Sequence, residues 1–516
     1  MAKSGVSIPL GSTIAVRQLQ IRLTPEQRRV LDFLFDRSRA LYNQALYATR
    51  KTFIQTGFIP KKGTLFFRDE VKARGFRNQS PRKKPGKDEL LTIAPKPHPW
   101  TVPLKDRFVG GTFDQLDGSV HRKALPASVA DQVLWSVHEA WDSYRELRTL
   151  FSRGQLPFRP KPPGYLKPGT AFKLAFPNSG GGAPKIIEML GEHTGELLPF
   201  VRFPLGDTMN TWFGCPELLI ALPTGTQPSL VREWTFRRKN GAVLLEISLL
   251  KEKPQAVSLD ASLILAIDPG TSSNLAACVA DDGSNLLIDA RQLKSMNQWY
   301  NRCIALRKKG KAEDYWDARC DRLTLKRNNQ MRDGVNKAAK LIVQHCLDRG
   351  IGTVVFGWNA GIKTGVNLGK KTNQGFVQMP LARLKERVRQ LCELHGVQFF
   401  EQEESYTSKS SHLDGDTPPV YGMKLTGWTA SGMRTKRGLY RSATGMHVNA
   451  DLHGAANIML KHVTGKAVEG TRVDLQRYRL GRRCLTTARR TRLWATQRTA
   501  GLSSQGECVS ASFSSR

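Results

Sequence analysis

The chain has 516 residues, 40% of them hydrophobic, enough for two or three domains with real cores. Lys and Arg number 79 against 44 Asp and Glu, a formal charge of +35. A charge that large repels itself unless a polyanion neutralises it, which points to nucleic acid ahead of an anionic membrane. No apolar run approaches the ~20 residues of a membrane span, and Met1 to Leu10 lack the apolar stretch of a secretion signal. The eight cysteines include no Cys-x-x-Cys pair, so neither a disulfide framework nor a zinc ribbon is expected, and a reducing cytosol is.

Residues 14–22 alternate as a strand. Thr24-Pro25-Glu26-Gln27 then reads as a helix start, with Thr24 as cap, Pro25 in the first turn and Gln27 closing a capping box. Leu31, Leu34, Phe35, Leu41, Tyr42, Ala45 and Leu46 follow at helical spacing. Residues 77–104, rich in Pro, Lys and Arg, read as a loop. Residues 126–152 form a second amphipathic helix with Val133, Leu134, Val137, Trp141 and Tyr144 on one side. In FRPKPPGYLKPG (158–169) proline and glycine break regular structure and leave the basic side chains free. Short strand-like runs recur from 171 to 255 and predict a small antiparallel β domain. From 262 the pattern changes. SLILAIDPG, LAACVA and LLIDARQL read as strands, two helices cover roughly 293–348, and TVVFG (353–357) is a buried strand. A helix over 380–395, a strand over 397–404 and a helix over 449–461 complete a βββαβαβα order, that of an RNase H-like fold. The segment 463–516 carries a charge of +8, ends rich in serine, and reads as a largely disordered basic tail.

Three acidic positions stand out in that order. Asp268 ends the apolar strand ILAI, and Pro269-Gly270 turns the chain away behind it; taken alone it equally suits a turn-capping Asp. Asp451 opens a helix whose small residues Ala455 and Ala456 allow close approach to a sheet; the helix dipole alone would also favour an acid there. Glu403 and Glu404 close the strand over 397–404. Adjacent strand residues face opposite sides, so only one of them can enter a given site. Carboxylates from distant segments are what two Mg²⁺ ions need to activate water against a phosphodiester.

LAIDPGTSSNLAACV resembles the first RuvC motif of TnpB proteins and type V CRISPR effectors, and NADLHGAANI resembles their third. QIRLTPEQ followed by SRALYN is similar to the TnpB start, and GWNAGIKTGVNLGKKTNQGFVQMP, EESYTSKSSHLDGD and RGLYRSATGMHVNAD resemble one TnpB subgroup. This resemblance to the TnpB family, or to closely related miniature type V effectors, covers most of the chain and is densest from Ala266 to Lys461. It implies an RNA-guided DNA endonuclease of the prokaryotic cytoplasm. The layout it implies is a first wedge segment (1–30), a helical recognition lobe (31–160), a β wedge domain (161–258), an α/β RNase H-like (RuvC) nuclease domain (259–462) and the basic tail (463–516). Guide RNA, transposon-encoded or CRISPR, and double-stranded target DNA are the expected partners, and two Mg²⁺ ions, or Mn²⁺ in their place, the cofactors. Asp268, Glu404 and Asp451 are the expected catalytic metal ligands, with Glu403 as the second choice.

Two departures from the family pattern matter. TnpB proteins usually carry the middle catalytic Glu directly after the strand equivalent to TVVF, where this chain has Gly357-Trp358-Asn359. That gap leaves a nuclease-inactive, RNA-guided DNA binder as the alternative. Relatives also place Cys-x-x-Cys pairs after Tyr-Thr-Ser, where this chain has Ser410, Ser411 and His412, so no structural zinc is expected and His412 lacks companion ligands. A guide duplex held by shape and backbone needs a basic channel. The candidate contacts are Lys308, Lys309 and Lys311, then Lys326, Arg327 and Arg332, then Lys370 and Lys371 in a Gly-rich loop.

Overall fold

The computed structural model describes residues 9, 11–56, 64–66, 101–103, 119–167, 169–170, 172–180, 182–190, 196–255, 257–270, 273–359, 379–424, 426–436, 438–468, 474–486 and 489–494. The chain divides after Glu252 into two compact units.

The first unit opens with β1 (Ser12–Ile21) and α1 (Pro25–Thr56). The capping box forms: the Thr24 main-chain N–H donates to Gln27 Oε1 at 2.9 Å, and the Gln27 N–H to Thr24 Oγ1 at 3.3 Å. A short hairpin, β2 (Thr64–Phe66) with β3 (Thr101–Pro103), is all that is described of the segment around the predicted loop 77–104. There follow α2 (Val120–Lys123), α3 (Ala127–Ser152), β4 (Leu174–Pro177), β5 (Lys185–Leu190), β6 (Leu197–Pro204), α4 (Asp207–Phe213), β7 (Glu217–Ala221), β8 (Val231–Lys239) and β9 (Ala242–Glu252). β1 pairs antiparallel with β9 along its whole length, Ser12 opposite Glu252 and Ile21 opposite Val243, in a sheet of order β1-β9-β8-β4. β5, β6 and β7 make a second antiparallel sheet. The stretches read as helical lobe and β wedge share one core. Leu31, Leu34 and Phe35 of α1 and Val133, Leu134, Val137 and Trp141 of α3 are buried with Phe176, Trp234 and Phe236 of the strands. Trp141 satisfies its indole N–H on Thr49 Oγ1 at 3.0 Å, as a buried indole must.

The second unit is α/β. Its strands are β10 (Asp260–Pro269), β11 (Asn274–Ala280), β12 (Asn285–Asp289), β13 (Ile351–Gly357), β14 (Gln398–Gln402), a small antiparallel set of β15 (Met433–Lys436), β16 (Leu439–Arg441) and β17 (His447–Asn449), and β18 (Arg489–Thr491). Its helices are α5 (Arg291–Lys308), α6 (Ala318–Asp348), α7 (Leu381–His395), α8 (Ala450–Val468) and α9 (Arg482–Thr486). The main sheet has the order β14-β13-β10-β11-β12-β18, with β11 antiparallel to β10 and β12, and β13 and β14 parallel to β10. Both faces are covered. Leu265, Ile267, Val354 and Phe356 pack with Val335, Ile342, Leu384 and Val388 of α6 and α7, while Ile264, Ala266 and Val355 pack with Ala455, Ala456 and Met459 of α8.

Three expectations need correction. The strand read over 397–404 ends at Gln402, so Glu403 and Glu404 lie in the turn beyond it. The helix read to 461 continues to Val468. The segment from 463 read as a disordered tail is folded over its described residues: Tyr478, Leu480, Leu485 and Leu493 are buried, and β18 adds a sixth strand parallel to β12. These apolar residues are spaced at neither helical nor strand period among many arginines, so charge dominates the local pattern while burial against the sheet decides the outcome.

Candidate carboxylate site

Strand alternation selects the residues that meet α8. In β10, Ile264 and Ala266 face α8, and the period of two carries Asp268 to the same face. In β13, Val355 faces α8, and therefore so does Gly357. In β14 it is Phe400 that packs toward α8. Asp268 thus ends its strand beside the position after TVVF, which is glycine here. A Cβ at Gly357 would lie 2.5 Å from Ile458 Cδ1 of α8, 3.0 Å from Glu404 Oε2 and 3.1 Å from the Ile267 carbonyl. The space of the missing side chain is therefore bordered by the carboxylate that comes in from beyond the next strand. A Cβ at Gly454, in the first turns of α8, would lie 2.6 Å from Asp268 Oδ2, so this glycine is what lets the helix approach the carboxylate.

Glu404 is held by its backbone. Its N–H donates to Asn359 Oδ1 at 3.0 Å, and its carbonyl accepts from Thr407 Oγ1 at 2.8 Å. The turn that follows places Tyr406 at φ +65°, a left-handed conformation costly for a bulky side chain. α8 pins that turn: Asn457 Nδ2 donates to the carbonyls of Thr407 and Ser410 at 2.8 and 2.7 Å. Glu403 points elsewhere. Its carboxylate pairs with Lys461, whose side chain is only 5% exposed and whose ammonium also donates to the carbonyls of Ser405 (3.0 Å) and Pro419 (2.8 Å). Burial would raise Glu403, but hydrogen bonds from Lys461 and Ser405 outweigh it and hold the carboxyl below its usual range. Asp451, in the first turn of α8, accepts from Asn274 Nδ2 at 2.8 Å and from Arg434 of β15 at 3.1 Å.

Asp268 thus lies within reach of the charges of Glu404 and Asp451, while Glu403 is directed to a lysine. Burial, followed by the charges of Glu404 and Asp451, raises the Asp268 carboxyl well above the ordinary range, with Arg434 acting against it. Burial, then the Glu403 charge, pushes Glu404 up to about 7. Clustered, desolvated carboxylates of this kind mark sites where a cation or a proton is to be held. Among the described residues no three His, Cys, Asp or Glu side chains are grouped closely enough to form a ready metal cage. The donor set still suits a hard divalent cation, since it offers carboxylate oxygens alone, with glycines where side chains would obstruct them.

The loop after Glu404 is held by hydrogen bonds. The His412 N–H donates to His453 Nε2, and His412 Nε2 accepts from the Leu480 N–H, both at 2.9 Å. Asp416 accepts from the N–H groups of Ser411 and Ser431 at 2.7 and 3.0 Å. Burial pushes His412 down to about 4 and His453 to about 3, so both rings are neutral acceptors.

The expected basic contacts fare differently. Lys309 is exposed at the end of α5. Lys308 donates to the Glu313 carbonyl and lies over Trp316, Lys311 lies over Tyr315, and Lys326 lies over Trp299. Arg327 is half-buried and bonded to Asn297 and Asn328, and Arg332 reaches Asn329 at 3.4 Å. Lys370 and Lys371 lie outside the described residues. Gly357, Gly454, Asn274, Asn457 and Arg434 do not stand out in the sequence as site residues. Gly454 precedes the two noted alanines and Asn457 follows them, so both carry a signal in the small-residue motif, whereas Arg434 is one basic residue among many.

No helix among the described residues is long and apolar enough to cross a membrane. No protein of curated function matches the chain. The solved structures it is similar to include a complex of Cas12f1 with sgRNA and target DNA (13% identity, TM-score 0.46, 87% of this chain and 99% of that one). The mini-RNA-guided endonuclease CRISPR-Cas_phi3 is another (10%, 0.40, 90% and 94%), and C2c1 of Alicyclobacillus acidoterrestris in complex with single-guide RNA a third (8%, 0.30, 84% and 69%). Residues 248–363, which hold Asp268 and Gly357, match the model of the OrfB_IS605 family, described as a probable transposase. On this match and the motif around Asp268, residues 248–363 of the chain are TnpB-like, similar to the OrfB_IS605 family.

Proposed function

We propose that the protein is an RNA-guided, metal-dependent DNA endonuclease with a RuvC-type site formed by Asp268, Glu404 and Asp451. The observation that supports this reading is that Asp268, buried on the α8 face of the sheet, feels the charges of both Glu404 and Asp451, with Gly454 leaving its carboxylate room beside α8. The three would hold two Mg²⁺ ions, or Mn²⁺. When bound, these supply an activated water and stabilise the departing alkoxide. The chain's own part is orientation: Asn359 and Asn457 fix the turn bearing Glu404, and Asn274 and Arg434 fix Asp451. In this reading the first unit acts as recognition lobe and wedge. Guide RNA and double-stranded DNA, the partners of an RNA-guided nuclease, answer the charge of +35. The test is to sequence the RNA that copurifies with the protein from its prokaryotic host, then assay Mg²⁺-dependent cutting of a matching duplex by wild type and Asp268→Ala. A discrete RNA and cutting by wild type alone are expected. Tight binding without cuts in either protein would favour the inactive binder, and absence of any discrete RNA would defeat the reading.

A further inference from the structure

The segment Phe158–Lys167 has no regular secondary structure, yet α1 fixes its path. Asn43 grips the Leu166 backbone at both ends, donating to its carbonyl at 2.9 Å and accepting from its N–H at 2.8 Å. Arg50 donates to the Pro163 carbonyl at 2.9 Å and lies 5.2 Å over the Tyr165 ring. Pro160, Pro162 and Pro163 restrict the backbone further, so the segment is ordered before any partner arrives.

Between this segment and the C-terminal ends of α1 and α3 lies a cleft of about 980 Å³. Its ionisable lining groups other than Tyr144 are all cations: Arg145, Arg148, Arg159 and Lys161, with no Asp or Glu. Arg145 is engaged by Asp142, but Arg148, Arg159 and Lys161 are exposed and make no hydrogen bond or ion pair among the described residues. Aromatic rings line the same cleft: Phe53, tilted against the buried Trp141 at a centroid distance of 5.1 Å, and Phe151, 40% exposed. Unpaired cations beside an exposed ring match a phosphodiester backbone with an unstacked base. A duplex hides its base faces, whereas a folded RNA offers them at bulges and loops.

We propose that this cleft holds unpaired nucleotides of an RNA strand, with phosphates on Arg148, Arg159 and Lys161 and a base against Phe151. The proposal rests on the RNA-guided reading and adds to it a defined site in the first unit.

The test uses the full chain and a fluorescein-labelled 20-nucleotide single-stranded RNA of mixed sequence, with binding followed across a salt series. Every phosphate that a variant no longer neutralises should reduce the slope of log K against log salt by about 0.7, so the triple variant R148E/R159E/K161E should show a slope shallower by about 2. A control reversal of the exposed Lys185, Arg232 and Lys251 should flatten it clearly less. Phe151→Ala and Phe151→Leu should each weaken binding at least fivefold at unchanged slope, because stacking releases no counterions. Unfolding midpoints matching wild type establish that the variants fold. Equal flattening in the triple variant and its control, or Phe151 variants within twofold of wild type, would overturn the proposal. So would a DNA strand of the same sequence that binds as tightly and responds identically to the variants. Failure of the wild-type chain to bind RNA at all would defeat the RNA-guided reading itself; intact binding with unaffected variants defeats only this site.

Discussion

Gly454→Ala tests the close approach of α8 to Asp268. The added Cβ would sit 2.6 Å from Asp268 Oδ2, about 0.8 Å inside ordinary contact, so the carboxylate or the helix must shift by several tenths of an ångström. Stability should barely register the change. Ala is favoured over Gly inside a helix by about 1 kcal/mol, which offsets much of the roughly 1–3 kcal/mol that overpacking costs. Catalysis should register it strongly, since a misplacement approaching 1 Å can cost about 10²-fold in rate. Gly465 on the same helix is the control, because a Cβ there meets nothing within 4 Å. The assay is guide-programmed cleavage of a matched duplex in Mg²⁺, alongside urea unfolding. The expected result is about 10²-fold slower cutting by Gly454→Ala with unfolding within about 2 kcal/mol of wild type, and unimpaired cutting by Gly465→Ala. A folded Gly454→Ala protein that cuts within threefold of wild type would refute the reasoning.

Arg434→Gln should tighten Mn²⁺ binding by about two- to fivefold in a calorimetric titration. It removes a competitor for Asp451 Oδ1 whose part-exposed ion pair contributes about 0.5–1 kcal/mol; unchanged affinity would show that the arginine does not compete. Glu403→Ala should destabilise the second unit by about 1–3 kcal/mol, less than the loss of a fully buried pair because Glu403 is one-third exposed. Urea unfolding identical to wild type would show that Lys461 does not need this partner. His138 in the first unit and His412 in the second are buried with their folded values pushed down to about 4, against about 6.5 when unfolded. Above pH 6.5 neither state binds the proton. Below it the unfolded chain does and the folded chain does not, so each ring should cost its unit about 2 kcal/mol between pH 7 and pH 5. A His138→Gln protein whose first unit loses stability as steeply as wild type over that range would contradict this.

Much of the second unit is legible in the sequence because its signals are local. ILAI before Asp268-Pro269, TVVF and the small-residue face of α8 each declare an element and a buried face, and strand parity then carries Asp268 and Gly357 to α8. The choice between Glu403 and Glu404 is not decided by strand parity, because the strand stops at Gln402 and the turn beyond it directs both side chains. Contacts distant in sequence leave no local trace: Asn274 reaches Asp451 across 177 residues, and β1 finds β9 more than 200 residues away. The stretch after 468 is misleading for a different reason. Its arginines dominate the composition, while the few leucines that bury it follow no regular period.

The proposed site is tested most directly by an isosteric pair at adjacent positions, Glu404→Gln and Glu403→Gln, in Mg²⁺-dependent, guide-programmed cleavage. The amide at 404 keeps the size of the side chain and removes the charge a divalent ion needs; the amide at 403 can still accept from Lys461. Loss of at least 10³-fold in Glu404→Gln, with Glu403→Gln within tenfold of wild type, is the expected result. Cutting by Glu404→Gln at the wild-type rate, or its abolition by Glu403→Gln alone, would contradict a catalytic centre built from Asp268, Glu404 and Asp451.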